Sequence, residues 1–235
     1  MIILMIAKFV FAMIIGYLLG SIPSGALIGK RFAKVDITEY GSGKTGATNV
    51  LRTAGKKAAV LVVSLDVLKG ALAVVIAGLI VGRNYLVWGQ FGMGLIAAQV
   101  LAALAAMAGH NWSVFLKFRG GRGVATFFGG LVALSPVVAL FGGEVFIIGV
   151  GLTKFASLGS IAGVVGTYTV LVPLTIMNGF PIEYLVYAFI GTIAIIVMHR
   201  ENIVRLITGK ERKLGEKVEV LDSPSSEESM GKPFI

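Results

Sequence analysis

Between Gly41 and Lys57 the chain reads GSGKTGATNVLRTAGKK, a polar and basic stretch inside an otherwise oily sequence. Gly41, Gly43 and Gly46 free the backbone of side-chain bulk. Ser42, Thr45, Thr48 and Asn49 supply hydroxyls and an amide, and Lys44 and Arg52 supply positive charge. Exposed backbone N–H groups beside a guanidinium form a cradle for phosphate or carboxylate. The spacing is not that of a Walker loop, because Thr38 rather than glycine stands five residues before Gly43 and no strand precedes it. A flexible loop carrying topology-setting charge has the same composition.

Two further segments repeat the theme. GHNWSVFLKFRGGRG, residues 109–123, puts Arg119, Arg122 and the three glycines Gly120, Gly121 and Gly123 at the start of a short helix expected to continue through Thr126. A helix start flanked by arginine is again suited to an anion. His110 lies just upstream, where it serves equally as a helix cap. HRENIVRLITGK places His199, Asn202 and Leu206 on one helical face, with Arg205 and Gly209 nearby. An interfacial amphipathic helix anchored by arginine accounts for that pattern as well. Three such segments in one short chain point to a shared anion-binding pocket.

Other chemistry is poorly supplied. Aspartate occurs only at Asp36, Asp66 and Asp222, and there are two histidines and no cysteine. Neither histidine has Asp five residues later; Phe115 and Val204 occupy those places, so a His–Asp pair of that spacing is absent. No Ser–His–Asp set assembles, thiolate chemistry is excluded, and metal ligands are few. No metal or cofactor is expected. Any enzyme built on this chain works by binding charge and positioning reactants.

The elements that hold these segments must cross a membrane. Of 235 residues, 56% are hydrophobic and 14% charged, against about 25% charged in soluble domains. Long apolar runs without alternation indicate helices rather than barrel strands. The runs predict spans over residues 3–22, 58–81, 86–108, 157–177 and 182–198. The block 124–153, divided at Ser135-Pro136, supplies a short helix and a full span. Residues 30–57 read as a polar connection. The first run has no small-residue cleavage pattern and reads as a retained span. Asp66 and Lys69, three apart inside the second span, either neutralise each other or serve the pocket, with Lys69 lining it. Nearly all Lys and Arg fall on one side of this arrangement, leaving Lys8 and Arg83 opposite. The net charge of +9 is then topology-setting charge. Nucleic-acid binding is not expected, since no soluble domain is long enough to carry a recognition module. The expected fold is an all-α membrane protein of seven transmembrane helices, N-terminus outside and C-terminus cytoplasmic. Residues 1–214 form one integral domain and 215–235 a polar, disordered tail.

GSIPSG, GSGKTGATNVLR, LDVLKG, GHNWSVFLKFRGGRGVAT and HRENIVRLITGKE, in that order over about residues 10–213, resemble the bacterial acyl-phosphate:glycerol-3-phosphate acyltransferases. The resemblance implies a multi-pass protein of the bacterial cytoplasmic membrane. It implies acyl transfer from acyl phosphate to the 1-hydroxyl of glycerol 3-phosphate, giving lysophosphatidic acid and phosphate. Ser42, Arg52, Arg122, His199 and Asn202 match that family's phosphate- and substrate-binding positions. Thr48, Asn49, Lys69 and Ser157 match positions nearby; Gly43, Lys44, His110, Gly120, Gly121 and Thr126 complete the expected substrate-binding set. The family usually has Asn at Lys44, Pro at Ser113, and Lys at Arg119 and Arg122. Arg for Lys replaces a point donor with a planar fork. An organic-anion transporter is the competing reading, suited by buried charges and broken helices; the confinement of the basic segments to one face argues against it. The substrates and membrane lipids are the expected partners.

Overall fold

The structure is a computed structural model describing residues 2–88 and 91–216. Of the expected tail, residues 217–235 lie outside the described residues.

Helix α1 (Ile2–Ser21) ends before Pro23, and a short α2 (Ser24–Ala33) follows at once. A 3-10 turn, Ile37–Glu39, leads into the first glycine-rich loop. Helix α3 (Ala47–Val81) contains one non-helical residue, Gly55, at φ 85 and ψ 178. Only glycine adopts that conformation without strain. The break separates the turns carrying Thr48, Asn49 and Arg52 from the apolar span beyond. A two-stranded hairpin follows, β1 (Leu86–Trp88) against β2 (Phe91–Met93), paired Leu86 with Met93. The remaining helices are α4 (Leu95–Asn111), α5 (Val124–Leu134), α6 (Pro136–Thr153), α7 (Ala156–Ile176), α8 (Ile182–Met198) and α9 (Arg200–Ile207).

Two expectations are corrected. Residues 30–57 are not a continuous polar connection, because α2 and the first turns of α3 occupy much of them. The third apolar run is not helical from Leu86. Its first part is the hairpin, and α4 begins at Leu95 with 17 residues. The β-branched and aromatic residues of LVWGQFGM suit a hairpin, whereas hydropathy alone does not distinguish it from a helix start.

Among the described residues, four helical stretches are long and apolar enough to cross a membrane: 2–33, α3, α6 and α7. Helices α8 and α9, bent by 62° at their junction, qualify as a fifth when taken together. Helices α4 and α5 are apolar but shorter. Large hydrophobic side chains such as Leu79, Leu140, Ile148 and Leu152 point outward, as expected of a surface facing lipid.

Small residues bring the helices close. A Cβ on Gly20 of α1 would fall on the Ala106 carbonyl of α4, so the two backbones touch, as small-residue seams allow in membranes. The largest buried cluster joins α3, α4, α5, α6, α7 and α8. At its centre Phe127 stacks on Tyr187 at 5.0 Å, and the Tyr187 hydroxyl donates to the Phe127 carbonyl at 2.9 Å. That hydroxyl is thereby satisfied in an apolar setting.

Candidate functional site

The three basic segments meet at one end of the bundle. Ser42, Thr48 and Arg52 come from the first, and Arg122 from the second. His199, Asn202, Arg205, Glu211 and Arg212 come from the third, and Ala156, Ser157 and Ser160 from the start of α7. These residues enclose a polar pocket of about 40 Å³. Four guanidiniums stand there against one carboxylate, so the pocket favours an anion.

The first loop is delivered by Asn49. Its Nδ2 faces the carbonyl oxygens of Ile37, Tyr40 and Lys44 at 2.8, 3.0 and 3.0 Å, and its Oδ1 accepts from the Ser42 N–H at 3.3 Å. Two amide hydrogens are shared among three acceptors. Gly41 and Gly43 sit at φ 61 and 63, which lets the loop fold tightly around that amide. Asn49 is therefore chiefly a clasp that aims Ser42 at the pocket.

The third segment closes the pocket from the other side. His199 stands at the corner between α8 and α9, 2% exposed, with Nδ1 2.8 Å from the Ile195 carbonyl. A carbonyl only accepts, so Nδ1 carries the hydrogen and Nε2 is left unprotonated. Burial, with the Arg122 charge adding to it, pulls His199 down to about 4. The imidazole is neutral at physiological pH. Glu211 accepts from Ser157 Oγ at 2.9 Å, Asn202 Nδ2 at 2.6 Å and Arg205 Nε at 2.9 Å. Burial alone would raise its carboxyl; these donors outweigh it and hold the group below the usual range. Arg52 Nη2 donates to the carbonyls of Arg212 and Lys213 at 3.1 and 3.0 Å.

Arg122 makes no side-chain hydrogen bond among the described residues, and its Nε is buried without a partner. Burial and the neighbouring Arg205 pull the guanidinium down to about 10, so it stays charged at neutral pH. Arg52 Nε and Asn202 Oδ1 are also buried and unpartnered. Buried polar groups are normally paired, so three unpartnered ones around this pocket suit it to a polar ligand.

Ser42, Thr48, Arg122, Ser160 and His199 line a second cavity as well, of about 330 Å³. Its walls are Val63 and Val67 of α3, Val124, Ala125 and Phe128 of α5, and Gly143, Phe146 and Ile147 of α6. Ile147 is 66% exposed, so this apolar groove opens sideways toward lipid. The combination suits an amphiphile with an anionic head in the arginine pocket and a chain in the groove.

Of the residues expected from the sequence, Ser42, Thr48, Arg52, Arg122, Ser157, His199 and Asn202 line the polar pocket. Lys44, Asn49 and His110 line the groove. Lys69, Gly43, Gly120, Gly121 and Thr126 are not among the residues lining either cavity. Lys69 pairs with Asp66 at 2.8 Å and donates to the Ile22 carbonyl at 3.1 Å. Asp66 also accepts from Ser24 and lies 3.5 Å from His110 Nδ1. The pair neutralises itself within the bundle, and Asp66 also lines the groove. Gly120 and Gly121 press against His110, and a Cβ at Gly121 would fall on its ring. Thr126 lies at the α3–α5 seam, its carbonyl against Gly70. Nor does the second segment put its arginines inside a helix start, since α5 begins at Val124. Ser160, Glu211 and Arg212 were not anticipated. Glu211 ends the third motif, HRENIVRLITGKE, but a carboxylate among arginines gave no reason to place it at an anion site.

Comparison with known proteins agrees with this geometry. The family described as "Glycerol-3-phosphate acyltransferase" matches residues 10–209. The chain is 64% identical over 214 residues to "Glycerol-3-phosphate acyltransferase 3" of Dehalococcoides mccartyi (strain CBDB1), covering 91% of this chain and 99% of that one. It is 41% identical to the glycerol-3-phosphate acyltransferase of Clostridioides difficile (strain 630), with the same coverage of both chains. Among solved structures it resembles the integral membrane glycerol 3-phosphate acyltransferase PlsY (YgiH) in its glycerol 3-phosphate form. That match has 38% identity and a TM-score of 0.73, over 88% of this chain and 96% of that one. The lysophosphatidic acid form of the same protein matches with a TM-score of 0.74.

Proposed function

Because the chain belongs to the glycerol-3-phosphate acyltransferase family and is an integral membrane acyltransferase of phospholipid synthesis, we propose that its acyl donor is acyl phosphate and its acceptor the 1-hydroxyl of glycerol 3-phosphate. The observation that carries this reading is the seam at Ser42, Arg122 and His199, common to the arginine pocket and the apolar groove. A donor whose chain lies in the groove puts its carbonyl carbon at that seam and its phosphate among the guanidiniums. Acyl-group transfer is then a family property, and the transporter reading falls away.

In the proposed step the hydroxyl oxygen attacks the acyl carbon and the carbon–oxygen bond to phosphate breaks. Lysophosphatidic acid and inorganic phosphate result. Arg52 and Arg122 hold the phosphates and offset charge developing on the leaving group. The Ser42 hydroxyl donates to the same oxygens. The hydroxyl proton passes to a phosphate oxygen of the donor, because burial and Arg122 make His199 Nε2 a weak base in the free site. His199 Nε2 and Asn202 orient the glycerol hydroxyls. Acyl phosphate is already an activated mixed anhydride, so positioning and charge suffice.

The proposed topology has seven crossings: α1, α3, α4, the short α5, α6, α7 and α8, with the N-terminus outside. It is supported by the convergence of all three basic segments at one bundle end, with only Lys8 and Arg83 toward the other. The 17 residues of α4 reach the lower limit for a span. The proposed location is the bacterial cytoplasmic membrane, with residues 1–214 as one domain.

Phosphate release by the purified protein tests the donor. Palmitoyl phosphate should give phosphate and lysophosphatidic acid only when glycerol 3-phosphate is added. Turnover with palmitoyl-CoA and none with palmitoyl phosphate would overturn the assignment.

A further inference from the structure

The apolar groove has two walls that cannot yield and one that is open. On one side α3 and α5 touch backbone to backbone. A Cβ on Gly70 would fall on the Thr126 carbonyl, and one on Gly129 on the Val67 carbonyl. Phe128, the groove residue of α5 farthest from the arginines, is fixed by an edge-on contact with Phe127 at 5.5 Å. It is also confined by α6 and α7, because a Cβ on Gly142 or Gly163 would meet its ring. The third wall is α6, whose C-terminal end leads to the arginine pocket. Counting back from Thr153, its groove residues are Ile147, Phe146 and finally Gly143, about 15 Å from the helix end at 1.5 Å per residue. A Cβ built on Gly143 meets nothing within 4 Å. Where Val67 and Phe128 bound the far end, the α6 wall thus has no side chain.

Resting on the donor reading above, we infer that Gly143 sets the acyl-chain length this enzyme accepts. The absent side chain leaves room beside Val67 and Phe128 for the distal part of a long chain. A branched side chain there fills that room without touching the reacting end.

Gly143→Leu tests this, with Gly151→Leu as control. Gly151 lies on the same helix, its Cβ also has open space, and it lines neither the arginine pocket nor the groove. Leucine is a better helix former than glycine, so neither variant should fail to fold for want of helix. With decanoyl phosphate, Gly143→Leu should keep kcat/KM within about twofold of wild type. With palmitoyl phosphate it should lose about tenfold or more, the scale on which pockets sense a methylene or two. Gly143→Ala should fall between. Binding of decanoyl and palmitoyl lysophosphatidic acids to the same variants should show the same selective loss for the longer chain. An unchanged palmitoyl-to-decanoyl ratio in Gly143→Leu, or an equal shift in Gly151→Leu, overturns the inference. If wild type turns over no acyl phosphate, the donor reading fails, and the lysophosphatidic acid series still decides whether Gly143 limits chain length.

Discussion

Asn202 Nδ2 and Glu211 Oε1 lie 2.6 Å apart, tying the helix after the His199 corner to the chain that returns past Gly209. The same carboxylate receives Ser157 and Arg205. Leu214 N–H donates to the Lys154 carbonyl at 2.7 Å. Glu211 thus joins α7, α9 and the returning segment at the rim of the anion pocket.

Replacing Glu211 with Ala strands three donors beside uncompensated arginines. A loss of about 1–3 kcal/mol is expected for such unpaired groups. Thermal unfolding of the purified protein should show it, with Glu211→Gln intermediate because an amide oxygen still accepts. A melting temperature equal to wild type would remove Glu211 as a structural tie.

Arg52→Ala and Arg122→Ala should each lower kcat/KM by about 10²–10³, the loss typical of one charge-stabilising donor. Neither should unfold the protein, since Arg122 makes no side-chain hydrogen bond among the described residues and Arg52 gives up only exposed bonds to the Arg212 and Lys213 carbonyls. Arg122→Lys should recover part of the activity, keeping charge without the fork. Near-wild-type turnover in either alanine variant would sink the phosphate cradle.

Asn49→Leu should release the loop 37–44 while keeping the volume similar. Protease cleavage near Gly41–Lys44 should accelerate, and KM for glycerol 3-phosphate should rise more than kcat falls if the loop only positions Ser42. Unchanged cleavage would show that the loop holds without its clasp.

His199 should remain neutral, with hydrogen on Nδ1, at pH 6 in the substrate-free protein. Its folded pKa of about 4 lies below the ordinary 6.5. Its contribution to stability is therefore full above about 6.5 and is lost as pH falls through 4. Nitrogen NMR on histidine-labelled protein reads this directly, the His199 signals being assigned by their loss in His199→Asn. Imidazolium signals from His199 at pH 6 would refute it.

The convergence of three basic segments could be read from composition and order, because Lys and Arg crowd one side and glycine marks backbone exposed to a ligand. The division at Ser135-Pro136 could be read too, since proline cannot continue a helix from the preceding turn. The hairpin at 86–93 could not, because its residues are as apolar as a helix start. Asn49 looked like a ligand contact; its long-range bonds to Ile37 and Tyr40 exist only once the loop is folded. Lys69 looked like a pocket cation, and the helical spacing to Asp66 was equally consistent with the buried pair that the structure contains. Glu211 was hidden for an electrostatic reason: its sign opposes the site, and its purpose depends on Ser157, 54 residues away.

The lateral opening beside Ile147 means that the acyl donor and the lysolipid product need never pass through water. The concentration that such an enzyme senses is a surface density, set by mole fraction in the bilayer. Diluting the donor with inert lipid at constant bulk amount should slow it as effectively as withholding substrate. The membrane is thereby its second solvent and also its supply line.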